Sequence, residues 1–558
     1  MRVTWTVAVL MAVGGMTLAQ PPLRWKNADP VAMAKQDAES LEPDFAKFQR
    51  YIHVLDGTKE SGQAVSLALN IISRASTISR PLPIIQGKTL LMRFDIRQYS
   101  PRDTQWVDTW EKLAFDPRFN VLVTPGTRKF ASLTFPGKDF HESYEWKIET
   151  VKDIWPGGKD DDGVFFPKGT PYEWQRKTKI IKGGVIRIPN HPQIDQLIAL
   201  TGSQAPIVTD RYFILRALGT VQDTGTAKEI YGGLYYEFTG IRSKSSKGTD
   251  EDALFESIGI GNIDAGITAK AIFDKLRSDQ RAAMFRSAVT GNPRRIDFFR
   301  GLAGRLDTTS GLVVVTHDLK QQDVDIDVHP VANLLDFKDA AREIIFEKPN
   351  GLHGYALTDG KGKLQDAAPD DVVRDFSIPA PHSSRLQGAT SCIACHEAEG
   401  SDGWRRFTND VKTLTKRGLN IFGDQTGSDQ ADTVDRLRGL YDGDPERALQ
   451  KGRDDYAAAV LRATGPWKGS VNNVDIVKQA ATRITKIWRD YKYDLVTPAV
   501  ALREMGMDAN PETAAMTFAR VIPASSPEDV RIASLRLGVP IPRADWDLVY
   551  SFALSRKR

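Results

Sequence analysis

Both cysteines of the chain fall inside one pentapeptide, Cys392-Ile393-Ala394-Cys395-His396. With no other thiol in 558 residues there is no disulfide framework, so the fold must rest on buried apolar surface. The composition can supply it. The chain is 41% hydrophobic and 26% charged, ordinary for a globular protein, which excludes a mostly disordered chain and a polytopic membrane protein. The length corresponds to about three domains. Seventy-five basic against 71 acidic residues leave a net charge of +4, which gives no argument for a nucleic-acid partner.

The N-terminus reads MRVTWTVAVLMAVGGMTLAQ. Arg2 precedes an apolar stretch from Val3 to about Ala19, and Thr17-Leu18-Ala19 places small residues three and one before a cut. These features predict a signal peptide over 1–19 and an exported mature chain beginning at Gln20. The rival, an uncleaved anchor, sits at the short limit for crossing a bilayer, about 17–25 residues. No later segment is long and apolar enough to span. Gly311 to Thr316 (GLVVVT) is short and reads as a buried strand.

Further along, Phe45, Phe48, Tyr51, Ile52 and Leu55 recur at helical spacing, and Ala64 to Ile78 repeats the pattern up to Pro81 and Pro83. Lys88 to Ile96 alternates as a strand, and Thr104 to Phe115 suits an amphipathic helix. The stretch 117–170 is rich in Pro, Gly and Asp and predicts loops and short strands. Lys182 to Ile188 is a strand candidate, Ile267 to Ser287 a helix, and 311–360 a set of strands. Asp323, Asp325 and Asp327 alternate with Val324, Ile326 and Val328. That reads as a solvated strand face and not a calcium loop, because the glycine and glutamate of an EF-hand are missing. Asp160-Asp161-Asp162 reads as an exposed loop. Residues 359–391 are loop-like, which places a boundary near 375. Beyond 402 helices are predicted over 429–441, 444–463, 471–490, 497–506, 511–519, 526–537 and 543–555.

The pentapeptide is CxxCH, the attachment signature of a c-type haem. Two thiols must reach the two vinyl groups of one porphyrin. A three-residue separation on a helical turn puts both sulfurs on one side, and the next residue, His396, projects its ring to the iron. Two cysteines placed at random would give this arrangement only roughly five times in 100,000. Three other readings compete: a structural disulfide, a thioredoxin-like pair, which wants a strand before the helix where Pro379 to Thr390 reads as loop, and a zinc site, which lacks a second ligand pair. The expected cofactor is one covalent haem c, held by thioethers to Cys392 and Cys395 with His396 as proximal ligand. For the sixth iron position the candidates are Met505, Met507, Met516 and His382, or no protein ligand at all.

Three further blocks run in order: Phe346 to Gly360 (FEKPNGLHGYALTDG), Ala367 to Val373 (AAPDDVV) and Leu386 to His396 (LQGATSCIACH). Together they resemble a group of large exported bacterial proteins with one c-type haem, in which PNGLxGYxLxDxxG precedes GxSCxxCH. Phe48 to Tyr51 (FQRY), Phe94 to Tyr99 (FDIRQY), Trp106 to Trp110 and Arg286 to Arg295 are similar to earlier blocks of that family, so the resemblance spans most of 45–400. It implies a large mixed domain joined to a cytochrome c-like domain, in proteins mostly without an assigned reaction. It carries haem roles to Cys392, Cys395 and His396 and no catalytic residue to the N-terminal region. His353 departs from the pattern, where glutamine is expected, and is not assigned as a ligand.

The expected architecture is therefore α+β and multidomain. Residues 1–19 are a signal peptide, 20–375 a mixed helix/strand region of one or two subdomains, and 376–558 a mainly α-helical, cytochrome c-like haem domain. The leading functional expectation is an electron carrier of the periplasm or cell envelope, exchanging electrons with a redox protein or a small-molecule donor or acceptor. The alternative is a single-haem oxidoreductase or a haem-based sensor with an open sixth position.

Overall fold

The computed structural model of the chain describes residues 29–101, 104–114, 144–154, 158–159, 165–166, 168, 171–181, 194–203, 205–220, 233–241, 247–278, 282–286, 293–300, 311–318, 339–369, 386–397, 445–470, 472–493, 495–504, 507, 510–524, 530–542, 546 and 553. The expected signal peptide lies outside the described residues. So do Asp160 to Asp162, Lys182 to Ile188, Asp323 to Val328 and the helix expected over 429–441.

The first sheet has the order β2-β3-β1-β8: β1 (Gln49–Val54), β2 (Leu82–Gln86), β3 (Thr89–Asp95) and β8 (Ile207–Thr209). β1 is antiparallel to β3 and parallel to β8. Pleating sorts its residues into two cores. Ile52, Val54, Leu90, Met92 and Phe94 face one large cluster. Tyr51, Ile84, Leu91 and Ile207 face a smaller one, closed by α1 (Pro30–Glu39) and α5 (Ile194–Thr201). The helix expected through Phe45 to Leu55 is thus corrected: α2 (Pro43–Ala46) ends early and the chain continues as β1. A strand covered on both faces has no polar alternation, so its apolar run carries no period that separates it from a helix.

α3 (Lys59–Ile72) crosses the large-cluster face, capped at its start by Thr58, whose hydroxyl accepts from the Ser61 amide. It is buried almost all round from Ser61 to Ile72, so something must cover its outer side as well. Beyond it, α4 (Thr104–Glu111) brings Trp106 and Trp110 into an aromatic layer. Phe94 meets Tyr99 and Trp110 edge-on at 5.3 and 5.2 Å, and Tyr99, Trp106 and Trp110 stack in succession. The indole nitrogens donate to Ile72 O and Ala205 O, each at 2.9 Å. α6 (Asp210–Leu218) and α7 (Tyr235–Thr239) complete this layer. In the stretch expected to hold loops and short strands, β4 (Tyr144–Ile154) and β7 (Pro171–Ile181) form an eleven-residue antiparallel pair, with β5 (Gly158–Lys159) and β6 (Phe165–Phe166) between them.

The second sheet is an antiparallel meander of six strands: β9 (Ala282–Arg286), β10 (Pro293–Arg300), β11 (Leu312–Asp318), β12 (Ala341–Glu347), β13 (His353–Asp359) and β14 (Leu364–Gln365). α8 (Asp250–Ser257) and α9 (Ala269–Ser278) lead into it. The helix expected from Ile267 to Ser287 therefore ends at Ser278, and Ala282 to Arg286 pairs with β10 instead. Tertiary pairing overrides local pattern there. GLVVVT is β11, buried as expected.

After β14 come α10 (Thr390–Glu397), α11 (Pro445–Thr464), α12 (Asn473–Tyr493), α13 (Pro498–Glu504), α14 (Ala514–Val521) and α15 (Val530–Arg536), with β15 (Leu495–Val496) paired to β16 (Ile541–Pro542). The expectation of a mixed N-terminal region followed by a mainly α-helical, cytochrome c-like C-terminal domain is overturned here. α11 and α12 cover the outer side of α3, and α12 also packs on α6. Gln63 Nε2 donates to Thr464 O at 2.9 Å, Ser66 Oγ to Ala463 O at 2.6 Å, and Arg483 Nε to Ser61 Oγ at 2.9 Å. One cluster runs from Ile52 through Leu67, Val314, Tyr355 and Cys392 to Trp488. The fold is mixed α/β across both halves. Beyond Val496 a separate smaller cluster gathers α13, α14, α15 and the β15–β16 pair. Among the described residues no helix is long and apolar enough to cross a membrane.

Candidate functional site

α10 carries the CxxCH motif, and its entry is fixed to the chain after β14. Ala368 N donates to Leu386 O at 2.8 Å and Gly388 N to Asp366 O at 3.1 Å. Ala367 bridges to Gln387. Two of the family-like blocks, Ala367-Ala368 and Leu386 to Gly388, are thus halves of one clasp. A Cβ on Gly388 would stand 2.9 Å from the Thr220 side chain and 3.1 Å from Tyr236 Oη, so a larger residue would make Thr220 shift. Ala389 follows with φ +56°, the one non-glycine residue of positive φ among the described residues. Such a conformation costs about 1 kcal/mol. It turns the chain sharply into the helix.

Residues three and four apart share a helix face, so Cys392, Cys395 and His396 project together. Both cysteines are free thiols, Cys392 buried and Cys395 half-buried. Ile393, fully buried beside them, lies in the main cluster with α12 residues. Opposite the motif stands β12. Its Glu343 carboxylate bonds the Cys392 thiol, and its Oε1 lies 3.4 Å from His396 Nε2. Burial first, and then Glu343, pushes the Cys392 thiol well above its usual range.

His353 opens β13, paired in register with Glu347 as Leu357 is with Glu343. Glu343, Glu347, His353 and Leu357 therefore share one face of the sheet. His353 is fully buried, its ring stacked on Tyr456 of α11 at 3.9 Å between centroids and edge-on to Tyr355 at 6.2 Å. Burial drives its pKa well below the ordinary histidine value, and the neighbouring His396 adds to that. The site is thus assembled from α10, β12, β13 and α11.

The three motif residues fall together as expected. The candidate sixth ligands are dispersed. His382 and Met505 lie outside the described residues. Met507 packs against the C-terminal cluster, and Met516 on α14 is 69% exposed. Glu343, His353 and Tyr456 were not assigned from sequence. His353 carried a signal as the departure from PNGLxGY. Glu343 and Tyr456 carried none, because only strand register and helix packing bring them to α10.

The donor set fits a c-type haem. It offers two unbridged thiols at i and i+3 of one helix face and an imidazole at i+4. Glu343, half-buried at the sheet surface, stands at both the Cys392 thiol and His396 Nε2. No family model matches the chain, and no curated protein or solved structure is similar to it.

Proposed function

We propose that this protein is an exported electron carrier with one covalent c-type haem, exchanging electrons with a partner of the cell envelope. The observation that carries the reading is the CxxCH triad on a single helix face, with the two thiols unbridged and His396 beside them. Cys392 and Cys395 would hold the haem through thioethers, and His396 would ligate its iron. When bound, the haem supplies a one-electron Fe(III)/Fe(II) couple. The chain sets its surroundings. Ile393 and the α12 face exclude water on one side, Glu343 places a carboxylate near the proximal imidazole, and the strained Ala389 entry fixes the helix direction. The apolar leader over 1–19 supports export to the compartment where haem is attached.

The test is expression of the full chain in a periplasm with haem-attachment machinery, followed by denaturing extraction. The expected result is haem that stays with the polypeptide and adds its mass, and loses all covalent attachment in the Cys392→Ala/Cys395→Ala double variant. Cys392→Ala alone leaves one thioether and a red-shifted reduced spectrum. An intact chain that carries no covalent haem overturns the reading and leaves the pair as a redox-active or structural dithiol.

A further inference from the structure

We propose that the cleft between the α3–β2 loop, the β12–β13 turn and α11 binds a small organic anion that carries carboxylate or phosphate groups. The proposal is independent of the haem reading. The cleft has a volume of about 1520 Å³, room for a ligand larger than an inorganic ion. One wall is the segment from Ser76 to Pro83, and another is the turn from Glu347 to Gly351. The third is a single face of α11, because Lys451, Asp455, Ala458 and Arg462 recur every three or four residues.

Cations outnumber carboxylates among the lining side chains, five to two. Most of them have partners inside the protein. Arg93 pairs with the buried Asp37 carboxylate at 2.9 Å, Lys451 pairs with Asp455, and Lys348 Nζ is taken up by the carbonyls at the end of α3. Glu347 Oε2 accepts from Leu312 N at 2.8 Å. Two guanidiniums remain, both at the last turn of α11. Arg462 is exposed, and its side chain has no hydrogen-bond or carboxylate partner among the described residues. Its Nη2 lies 3.3 Å from where a Cβ on Gly351 would stand, so the side chain extends from α11 to the turn. Arg80 comes from the opposite wall. Its Nε donates to Arg462 O at 2.5 Å and its Nη2 to Leu461 O at 3.2 Å, which leaves Nη1 unused.

A guanidinium presents a planar fork of N–H donors that matches the oxygens of carboxylate and phosphate. Arg80, already held by two carbonyls, loses little freedom when it binds. Ser76 and Thr77 make no hydrogen bond within the protein, and Ser79 makes them only through its main chain, so hydroxyl donors line the same wall. Ile78, Pro81 and Leu82 add apolar surface for the body of the ligand.

The experiment is isothermal titration calorimetry of the full chain with pyrophosphate and, separately, with citrate, at low ionic strength. The wild type is expected to bind one equivalent of either probe saturably. Arg462→Gln is expected to weaken that binding about tenfold, the size of one hydrogen bond to a charged group. The Arg80→Gln/Arg462→Gln double variant is expected to lose it. Arg462→Gln removes no hydrogen bond or ion pair of the folded protein, so its thermal unfolding should match the wild type, which separates loss of the site from loss of the fold. Lys270→Gln on α9, a surface cation outside the cleft, is expected to bind as the wild type does. Pyrophosphate bound more tightly than citrate marks a phosphorylated ligand, and the reverse marks a polycarboxylate. Absence of saturable binding of both probes up to about 10 mM overturns the proposal. Binding that Arg462→Gln leaves intact, or that Lys270→Gln weakens equally, also overturns it.

Discussion

Asp297→Ala is expected to destabilise the main core by about 3–5 kcal/mol, the cost of leaving a buried charge uncompensated. Asp297 is fully buried on β10. Its Oδ1 lies 3.2 Å from Arg295 Nε and its Oδ2 lies 3.0 Å from His317 Nε2. His317 Nδ1 meets Asp339 Oδ2 at 2.8 Å, and Arg342 continues the chain to Asp339 and Glu251, with Glu251 accepting from Thr358 at 3.1 Å. Each ring nitrogen of His317 faces a carboxylate. Removing Asp297 takes the carboxylate away from the buried Arg295 guanidinium. Asp297→Asn, which keeps the shape and one acceptor, should cost less. Thermal unfolding of both variants checks the order, and equal losses would show that charge is not what Asp297 supplies.

The same network sets an acid limit. Burial raises the Asp339 carboxyl, but His317 and Arg342 outweigh it and hold its pKa down to about 2, from 3.8. A carboxylate whose pKa is depressed on folding stabilises above its unfolded value and loses that contribution as pH falls through the folded one. Asp339 is therefore expected to contribute about 2 kcal/mol near neutrality, lost between about pH 4 and about pH 2. Asp339→Asn should lack that acid-dependent loss. A variant whose stability falls with the wild-type slope over this window would refute the assignment.

Some of this architecture was readable in advance because its cause is local. The patterns over 444–463 and 471–490 emerge as Pro445–Thr464 and Asn473–Tyr493, the first with Pro445 at its opening position, where proline suits a helix. That Cys392, Cys395 and His396 share one helix face was readable because their spacing along one turn is local. What covers an apolar stripe is not local. α12 shows a face that must be buried, but nothing in residues 473–493 says that its cover is α3, some 400 residues earlier. The family-like blocks were visible as words without their physical reason. Phe94, Tyr99, Trp106 and Trp110 are one aromatic layer. In FQRY, Arg50 pairs with Glu111 and Tyr51 donates to Asp37 at 2.7 Å. Glu343 meets the CxxCH motif only through the packing of β12 against α10, which a reading of single segments does not contain.

Lys348→Met is expected to cost about 3 kcal/mol above neutral pH, because it strips donors from a buried helix end. The last carbonyls of a helix have no partner within it. α3 ends inside the core, and side chains supply the partners. Trp106 donates to Ile72 O at 2.9 Å, and Asn350 to Asn70 O at 2.9 Å. Lys348 Nζ reaches Ile71 O at 2.5 Å, Ser73 O at 2.6 Å and Asn70 O at 3.3 Å. This explains the KPNGL stretch: Gly351 takes φ +85°, Leu352 N donates to Asn350 Oδ1, and the turn delivers Lys348 and Asn350 to the helix end. Asn350→Ala should cost less, since Asn70 O keeps Lys348. The effect of Lys348→Met depends on pH in a definite direction. Burial, and secondarily Arg74, lowers the Lys348 pKa to about 7, from 10.5. A lysine whose pKa falls on folding lends its full stability above the unfolded value and loses it as pH falls through the folded one. Near pH 9 the folded chain holds the amine neutral and it still donates, so the variant loses hydrogen bonds and regains only part of what burying the lysine costs. Near pH 5 the wild type bears a buried ammonium that methionine avoids, and the gap between the two should narrow. Urea unfolding at both pH values checks this, and a gap that widens on acidification would show that the ammonium is the form that the helix end favours.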